Sequence, residues 1–212
     1  MDALAKRTNA STNDLNDPAV ARKLLLSSLR EHALVIGEVT LSSGRTAQYY
    51  VDAKRAILLP ETFAALGVLV AERARACRAS AVGGVPVSAI PVACAALAAP
   101  DASLGDSPLR GFIVRKERKD HGLQRWIEGP PLDKGERCLL VEDVVTTGGS
   151  TIEAVRRVRA EGLTVAGVLS VLDRLAGGGE AIAAELGEEG SYTPLATIDK
   201  IYPDRPDRPV RG

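Results

Sequence analysis

An α/β fold, with a parallel sheet covered by helices on both faces, is predicted by two features of the chain. From Ala79 onward, short continuous apolar runs alternate with stretches of helical periodicity. Unbroken apolar strands of this kind belong to sheets buried on both sides. At residues 137–155 an apolar run passes through an acidic pair and a Gly/Thr/Ser turn straight into an amphipathic segment. That strand–turn–helix unit is the building block of such sheets. The totals agree: 212 residues suit one domain with a sizeable core, and 45% hydrophobic with 25% charged residues is ordinary globular composition. Lys+Arg and Asp+Glu are both 27. No net field therefore draws the chain to nucleic acid or to a membrane surface, and any anion site must be local.

The elements follow in chain order. Residues 1–16 lack periodicity and read as a disordered tail. Asp17-Pro18 supplies an N-cap and a proline at the first helical position, and Val20, Leu24, Leu25 and Leu29 extend a helix to about Glu31. Residues 34–41 and 48–51 read as the strands of a hairpin around 42–46, with Gly44 supplying the permissive backbone. Pro60-Glu61 opens a helix with Phe63, Leu66, Val70 and Ala74 on one face. A short strand at 79–83 leads into a Gly-Gly turn. Strands at 112–114, 139–141, 164–172 and 192–198 then alternate with helices at 152–160, stopped by Gly162, and at 180–186, stopped by Gly187.

One domain over 17–202 is expected, with a small N-terminal hood from 17–55 and a mobile tail over 203–212. The longest apolar stretch, 85–100, is interrupted by Pro86, Ser88 and Pro91 and is not a membrane span. Cys77, Cys94 and Cys138 lie in apolar surroundings and read as core thiols of a reduced compartment. The first twenty residues lack an apolar signal region, so a cytoplasmic location is expected.

The turn at 146–151 offers a row of backbone N–H groups at the positive end of a helix, where a phosphate binds well. Glu142 and Asp143 beside such a site make sense if they address sugar hydroxyls or a magnesium ion. A plain βα loop capped by Ser150 or Thr151 gives no reason for two adjacent acids. The run Leu139-Leu-Val-Glu-Asp-Val-Val-Thr-Thr-Gly-Gly-Ser-Thr151 resembles the 5-phosphoribosyl 1-diphosphate (PRPP) signature of type I phosphoribosyltransferases. The resemblance implies that fold, and it assigns PRPP to Glu142, Asp143, Val144, Val145, Thr146, Thr147, Gly148, Gly149 and Ser150.

A second segment, Arg115-Lys-Glu-Arg-Lys-Asp-His-Gly122, packs five potentially cationic residues into eight. Such runs are often simply solvated. This one follows a strand directly and ends on a glycine hinge in a near-neutral protein, as a loop closing over a diphosphate would. It resembles the catalytic loop of orotate phosphoribosyltransferases, Arg-Lys-Glu-X-Lys-X-His-Gly, at every fixed position. In that family the loop reaches PRPP bound by the neighbouring subunit. The resemblance thus implies a homodimer with shared sites, in which Arg115, Lys116, Lys119 and His121 contact the diphosphate. Lys116, Lys119, His121 and Asp143 are then the catalytic groups. Magnesium is expected to be carried mainly by PRPP, with no direct protein cage.

The hairpin at 41–54 resembles the family's hood over the pyrimidine, where Tyr50 could flank the orotate ring; simple packing is the alternative for both Tyr49 and Tyr50. Arg174 matches a position that pairs with the orotate carboxylate, a role that suits a planar fork, while a surface ion pair with Asp173 is the alternative. Thr146 is a further candidate for facing orotate. Two departures are visible. Ser42 and Ser88 stand where many relatives carry lysine: at the first the contact is lost or comes from Lys54 or backbone amides, and at the second the charge is missing while Gly83-Gly84 still allows close backbone approach. The resemblance covers about residues 20–200 and implies transfer of phosphoribose from PRPP to orotate. The rivals are transfer to another base and a PRPP-sensing regulator without catalysis.

Overall fold

Helix α1 (Pro18–Ser28) begins where the sequence predicts, with the Asp17 carboxylate accepting from the Ala19 N–H at 2.8 Å and proline in the first turn. The structure is a computed structural model that describes residues 14–40, 46–117 and 125–208. A wider π-helical turn, Leu29–Ala33, carries α1 into β1 (Leu34–Thr40), which pairs antiparallel with β2 (Thr46–Val51). Their register shifts between Ile36 and Val39, where Gly37 takes φ +134°. Ser42 and Gly44 of the hairpin turn lie outside the described residues. The short helix α2 (Lys54–Ile57) and the long α3 (Pro60–Ala76) complete the hood side.

Strand β3 (Ala81–Gly84) leads to α4 (Ala89–Leu97), to a small hairpin of β4 (Ser103–Leu104) and β5 (Ser107–Pro108), and to β6 (Arg110–Val114). The edge strand β7 (Ile127–Glu128) returns antiparallel to β6. Then come β8 (Arg137–Val145), α5 (Gly149–Ala160), β9 (Thr164–Asp173), α6 (Gly178–Leu186), β10 (Ser191–Thr197) and α7 (Ile198–Ile201). The sheet order is β10-β9-β8-β3-β6-β7, and all strands but β7 run parallel. From β3 the chain moves out to β6, then returns to the other side of β3 for β8 and continues outward. The winding therefore reverses between β3 and β8, which opens a crevice at their C-terminal ends.

The unbroken apolar run of β8 resolves into an alternation that feeds two cores. Leu139 and Val141 pack with α1, α3, α4 and the hood. Cys138 and Leu140 pack with Val155, Val158, Ile182 and Leu186 beneath α5 and α6.

Several expectations are revised. β8 continues through the acidic pair to Val145, because Glu142, Val144 and Val145 keep their pairing with Ser170, Leu172 and Asp173 of β9. The interrupted apolar stretch contains a helix, α4. Its Pro91 sits in the first turn, where no intrahelical N–H is required. Gly67 lets α3 press against that helix, since a Cβ there would stand 2.3 Å from the Ala95 carbonyl oxygen. Cys94 faces outward on α4 and is no core thiol, while Cys138 is buried, its thiol pushed up to about 12 by burial. Leu15, expected in a disordered tail, is buried within a single 3-10 turn. The expected mobile tail is instead folded over 203–208. Arg205 is 7% exposed and is clasped by Asp199 at 2.9 Å and Asp207 at 2.8 Å. Among the described residues no helix is long and apolar enough to cross a membrane.

Candidate active site

Strand β8 delivers Glu142 and Asp143 to the crevice while both are still largely buried, at 8% and 7% exposure. Their donors come from different elements. Glu142 accepts from the Thr151 hydroxyl of α5 at 3.3 Å and from the Asp143 N–H at 3.2 Å. Asp143 faces the Lys54 ammonium of the hood at 3.7 Å, and that ammonium also pairs with Asp52 at 2.7 Å. Burial first, and then the adjoining Asp143 carboxyl, push Glu142 up to about 7. Lys54 is held above its ordinary value chiefly by the Asp52 hydrogen bond, with Asp143 adding to it.

Residues 144–151 line a cavity of about 140 Å³ directly beyond the acids. Gly148, at φ +79°, turns the chain from β8 into α5, and the first turn of α5 carries no acid. Its leading N–H groups have no helical carbonyl to serve, so they and the Thr146, Thr147 and Ser150 hydroxyls can receive an anion. The sequence reading missed what lies beneath this cradle. Gly178 donates its N–H to the Thr146 carbonyl at 3.1 Å, and a Cβ on Gly178 would stand 2.5 Å from that same oxygen. The run of three glycines at 177–179 was the available signal.

On the strand beside it, the Arg174 N–H donates to the Val145 carbonyl at 2.9 Å. Its guanidinium carbon lies 5.2 Å from the Tyr49 ring centroid, an approach that favours cation–π attraction. The alternative pairing with Asp173 is not adopted. Asp173 is buried and accepts from the Leu175 N–H at 2.7 Å and the Tyr192 hydroxyl at 2.8 Å. The two hairpin tyrosines divide by strand alternation: Tyr49 is 2% exposed and packs inward, whereas Tyr50 is 38% exposed.

Arg115 closes β6 with its N–H on the Trp126 carbonyl at 2.9 Å, and its guanidinium pairs with Glu128 of β7. It is thus drawn toward the edge of its own sheet, not toward the acidic pair. Lys116 is exposed at the start of the basic loop, and Lys119 and His121 lie outside the described residues. Ser88 precedes α4 without a side-chain capping bond. A larger cavity, about 230 Å³, lies near Arg125, Ile127 and Lys134 at the sheet edge, apart from the acids.

The buried carboxyl has a consequence for stability. Folded Glu142 retains its proton up to about pH 7, whereas the unfolded side chain loses it near 4.5. The native state thus binds more protons between those values, and stability falls as pH rises through that window, by a few kcal/mol in order of magnitude. Glu142→Gln should flatten this dependence and melt several degrees higher than the parent near pH 8. Parallel melting curves for the two proteins from pH 4.5 to 8 would show that Glu142 is not the titrating group.

The model of the phosphoribosyl transferase domain matches residues 81–185, from β3 through α6. An orotate phosphoribosyltransferase of Corynebacterium glutamicum is 45% identical over 175 residues, 82% of this chain and 91% of its own length. One from Streptomyces avermitilis is 45% identical over 166 residues, 78% of this chain and 90% of its own. Among solved structures, Mycobacterium tuberculosis orotate phosphoribosyltransferase in complex with Fe(III) dicitrate superposes with a TM-score of 0.74 at 41% identity, covering 86% of this chain and 99% of the other. The same enzyme in complex with PRPP gives 0.69 at 37% identity, covering 85% and 98%. Adenine phosphoribosyl transferase from Trypanosoma brucei, 14% identical with a TM-score of 0.62 over 89% of this chain and 85% of its own, shares the fold alone. With 45% identity to such enzymes across most of its length, and with the domain model spanning the strands and turn that carry the acidic pair and the cradle, the chain belongs to the orotate phosphoribosyltransferase family.

Proposed function

We propose that the protein transfers the 5-phosphoribosyl group of PRPP to orotate, giving orotidine 5′-monophosphate and diphosphate. The observation that carries this is the buried acidic pair opening directly onto an anion cradle at the sheet's switch point, in a chain of this family. Displacing diphosphate from C1 of the sugar builds positive charge on the ring and negative charge on the leaving group, so catalysis is largely positioning and electrostatics. Thr146 to Ser150 hold the 5′-phosphate, with Val144 and Val145 framing the cradle. Glu142 and Asp143 take the ribose hydroxyls, and Asp143 offsets the charge that develops on the ring. Arg174 pairs with the orotate carboxylate, Tyr50 flanks the pyrimidine and Thr146 faces it. The orotate nitrogen is already weakly acidic and needs no general base.

The residues present suit magnesium that arrives with the substrate. The acidic pair borders the cradle, where its carboxylates can share an ion that the diphosphate carries in. When bound, the ion would neutralise part of the diphosphate charge. Lys116, Lys119 and His121, with Arg115 at the base of their loop, supply the remainder from a neighbouring subunit. Support for a dimer comes from α4, which carries no charged residue and turns Ile90, Cys94 and Leu97 outward at helical spacing. Three cysteines without a disulfide suit a reducing compartment, and we place the protein in the cytoplasm.

Orotidine 5′-monophosphate should form from PRPP and orotate only with magnesium present, and a failure to turn over orotate would overturn the assignment. Arg174→Ala should raise the orotate KM at least about tenfold through loss of a charge-assisted pair; an unchanged KM points to a different base. Mixing inactive Lys119→Ala with inactive Asp143→Asn after subunit exchange should restore about a quarter of parental activity, by random pairing in a two-fold dimer. Sites confined to one subunit would stay silent. Trp126 reports on the loop, because the Arg157 guanidinium lies 4.6 Å from its ring centroid and also donates to the Arg115 carbonyl at 2.7 Å. Its fluorescence should change on PRPP binding, and an invariant spectrum argues against closure.

A further inference from the structure

We infer that the C-terminal segment from Asp199 to Asp207 sets orotate affinity, by fixing the tyrosine on which Arg174 rests. This builds on the reading of Arg174 as the partner of the orotate carboxylate. The contacts form a continuous chain. Arg174 stands over the Tyr49 ring, 5.2 Å from its centroid. The Tyr49 hydroxyl donates to both carboxylate oxygens of Asp207, at 3.1 and 3.0 Å, and the edge of its ring meets Tyr202 at 5.4 Å with an interplanar angle of 83°. Asp207 accepts in turn from Arg205 at 2.8 Å, and Arg205 also donates to Asp199 at 2.9 Å.

Each link has a physical role. Arg205 is a buried guanidinium between two carboxylates, so its charge is compensated on both sides and its geometry is set by the fork. That pins Asp207 close to the hood. A tyrosine hydroxyl donating to a carboxylate cannot swing away, and it leaves the ring richer in electrons toward a cation above it. Arg174 has a long side chain whose rotamer freedom must otherwise be lost when a ligand binds. Among the described residues it takes part in no ion pair, so its fork is held in place by an aromatic face and remains open to a ligand carboxylate. Asp207, Arg205 and Asp199 touch neither the cradle nor the acids and act only through Tyr49. They are positioning residues.

The test compares steady-state constants for both substrates in the full-length enzyme. Asp207→Ala and Tyr49→Phe should each raise the orotate KM roughly threefold to tenfold, the scale of a weakened cation–π contact, with the PRPP KM unchanged. Asp207→Glu should recover most of the loss. In an Arg174→Ala background, Asp207→Ala should have no further effect on orotate. An orotate KM that stays at the parental value in both single variants overturns the inference, as does a parallel rise in the PRPP KM, which would mark a general loss of structure. If Asp207→Ala still weakens orotate once Arg174 is gone, the route through Arg174 is rejected. An Arg174→Ala variant with a parental orotate KM rejects instead the reading of Arg174 itself, and with it the route.

Discussion

The rim of the sheet depends on one strand carrying two carboxylates out of a core that is apolar on both faces. β8 cannot bend away before the acids, because its pairing with β9 continues to Val145. Glu142 and Asp143 therefore remain largely desolvated, and adjacent ionised carboxyls in such a place repel. The structure accommodates them with donors from two directions, Thr151 from the helix that forms the cradle and Lys54 from the hood. The acids thus link hood and cradle. A ligand offering hydroxyl donors and accompanying cations relieves the same electrostatic cost.

Close backbone approach is the second constraint, and it sets the shape of the cradle. Gly84 ends β3 where a Cβ would collide with the Val141 carbonyl oxygen at 2.5 Å, so the two strands flanking the crevice can lie side by side. Gly178 does the same beneath Thr146. An added methyl would meet the Val141 carbonyl oxygen and the Ala89 Cβ at the first position, and the Thr146 carbonyl oxygen and a Val145 methyl at the second.

Residues 137–155 were legible in sequence because local chemistry fixes them. An apolar run, two acids and a glycine turn have few other uses together, and the strand, turn and helix appear where expected, displaced by a few residues. The boundaries moved for tertiary reasons: β8 is longer than its apolar run since β9 pairs with it past the acids. Helix α4 was hidden by its prolines, although Pro91 is harmless in a first turn. Contacts between distant parts of the chain were not legible. Nothing local announces that Lys54 reaches Asp143, that Gly178 supports Thr146, or that Asp207 receives the Tyr49 hydroxyl. The proline-rich end looked mobile by composition, and the feature that orders it is one buried arginine with two carboxylates.

Charge balance bears on the proposed sharing of the site between subunits. The chain is neutral overall, and a diphosphate brings several negative charges to a rim that already holds two carboxylates. On the described side of that rim three cations already lie against other groups. Lys54 lies between Asp52 and Asp143, Arg174 rests on Tyr49, and Arg115 is turned to Glu128. None is placed to neutralise a leaving diphosphate. A helix N-terminus suffices for a stationary monoester phosphate, since its dipole acts within the first turn and does not travel. Charge that develops on a departing group calls for cations that can be brought in and withdrawn. Residues 115–122 carry that density of lysine and arginine, while their own strand holds Arg115 away from the acids. The shared site proposed above meets both demands: the cradle keeps the stationary phosphate, and cations from the neighbouring loop meet the leaving group.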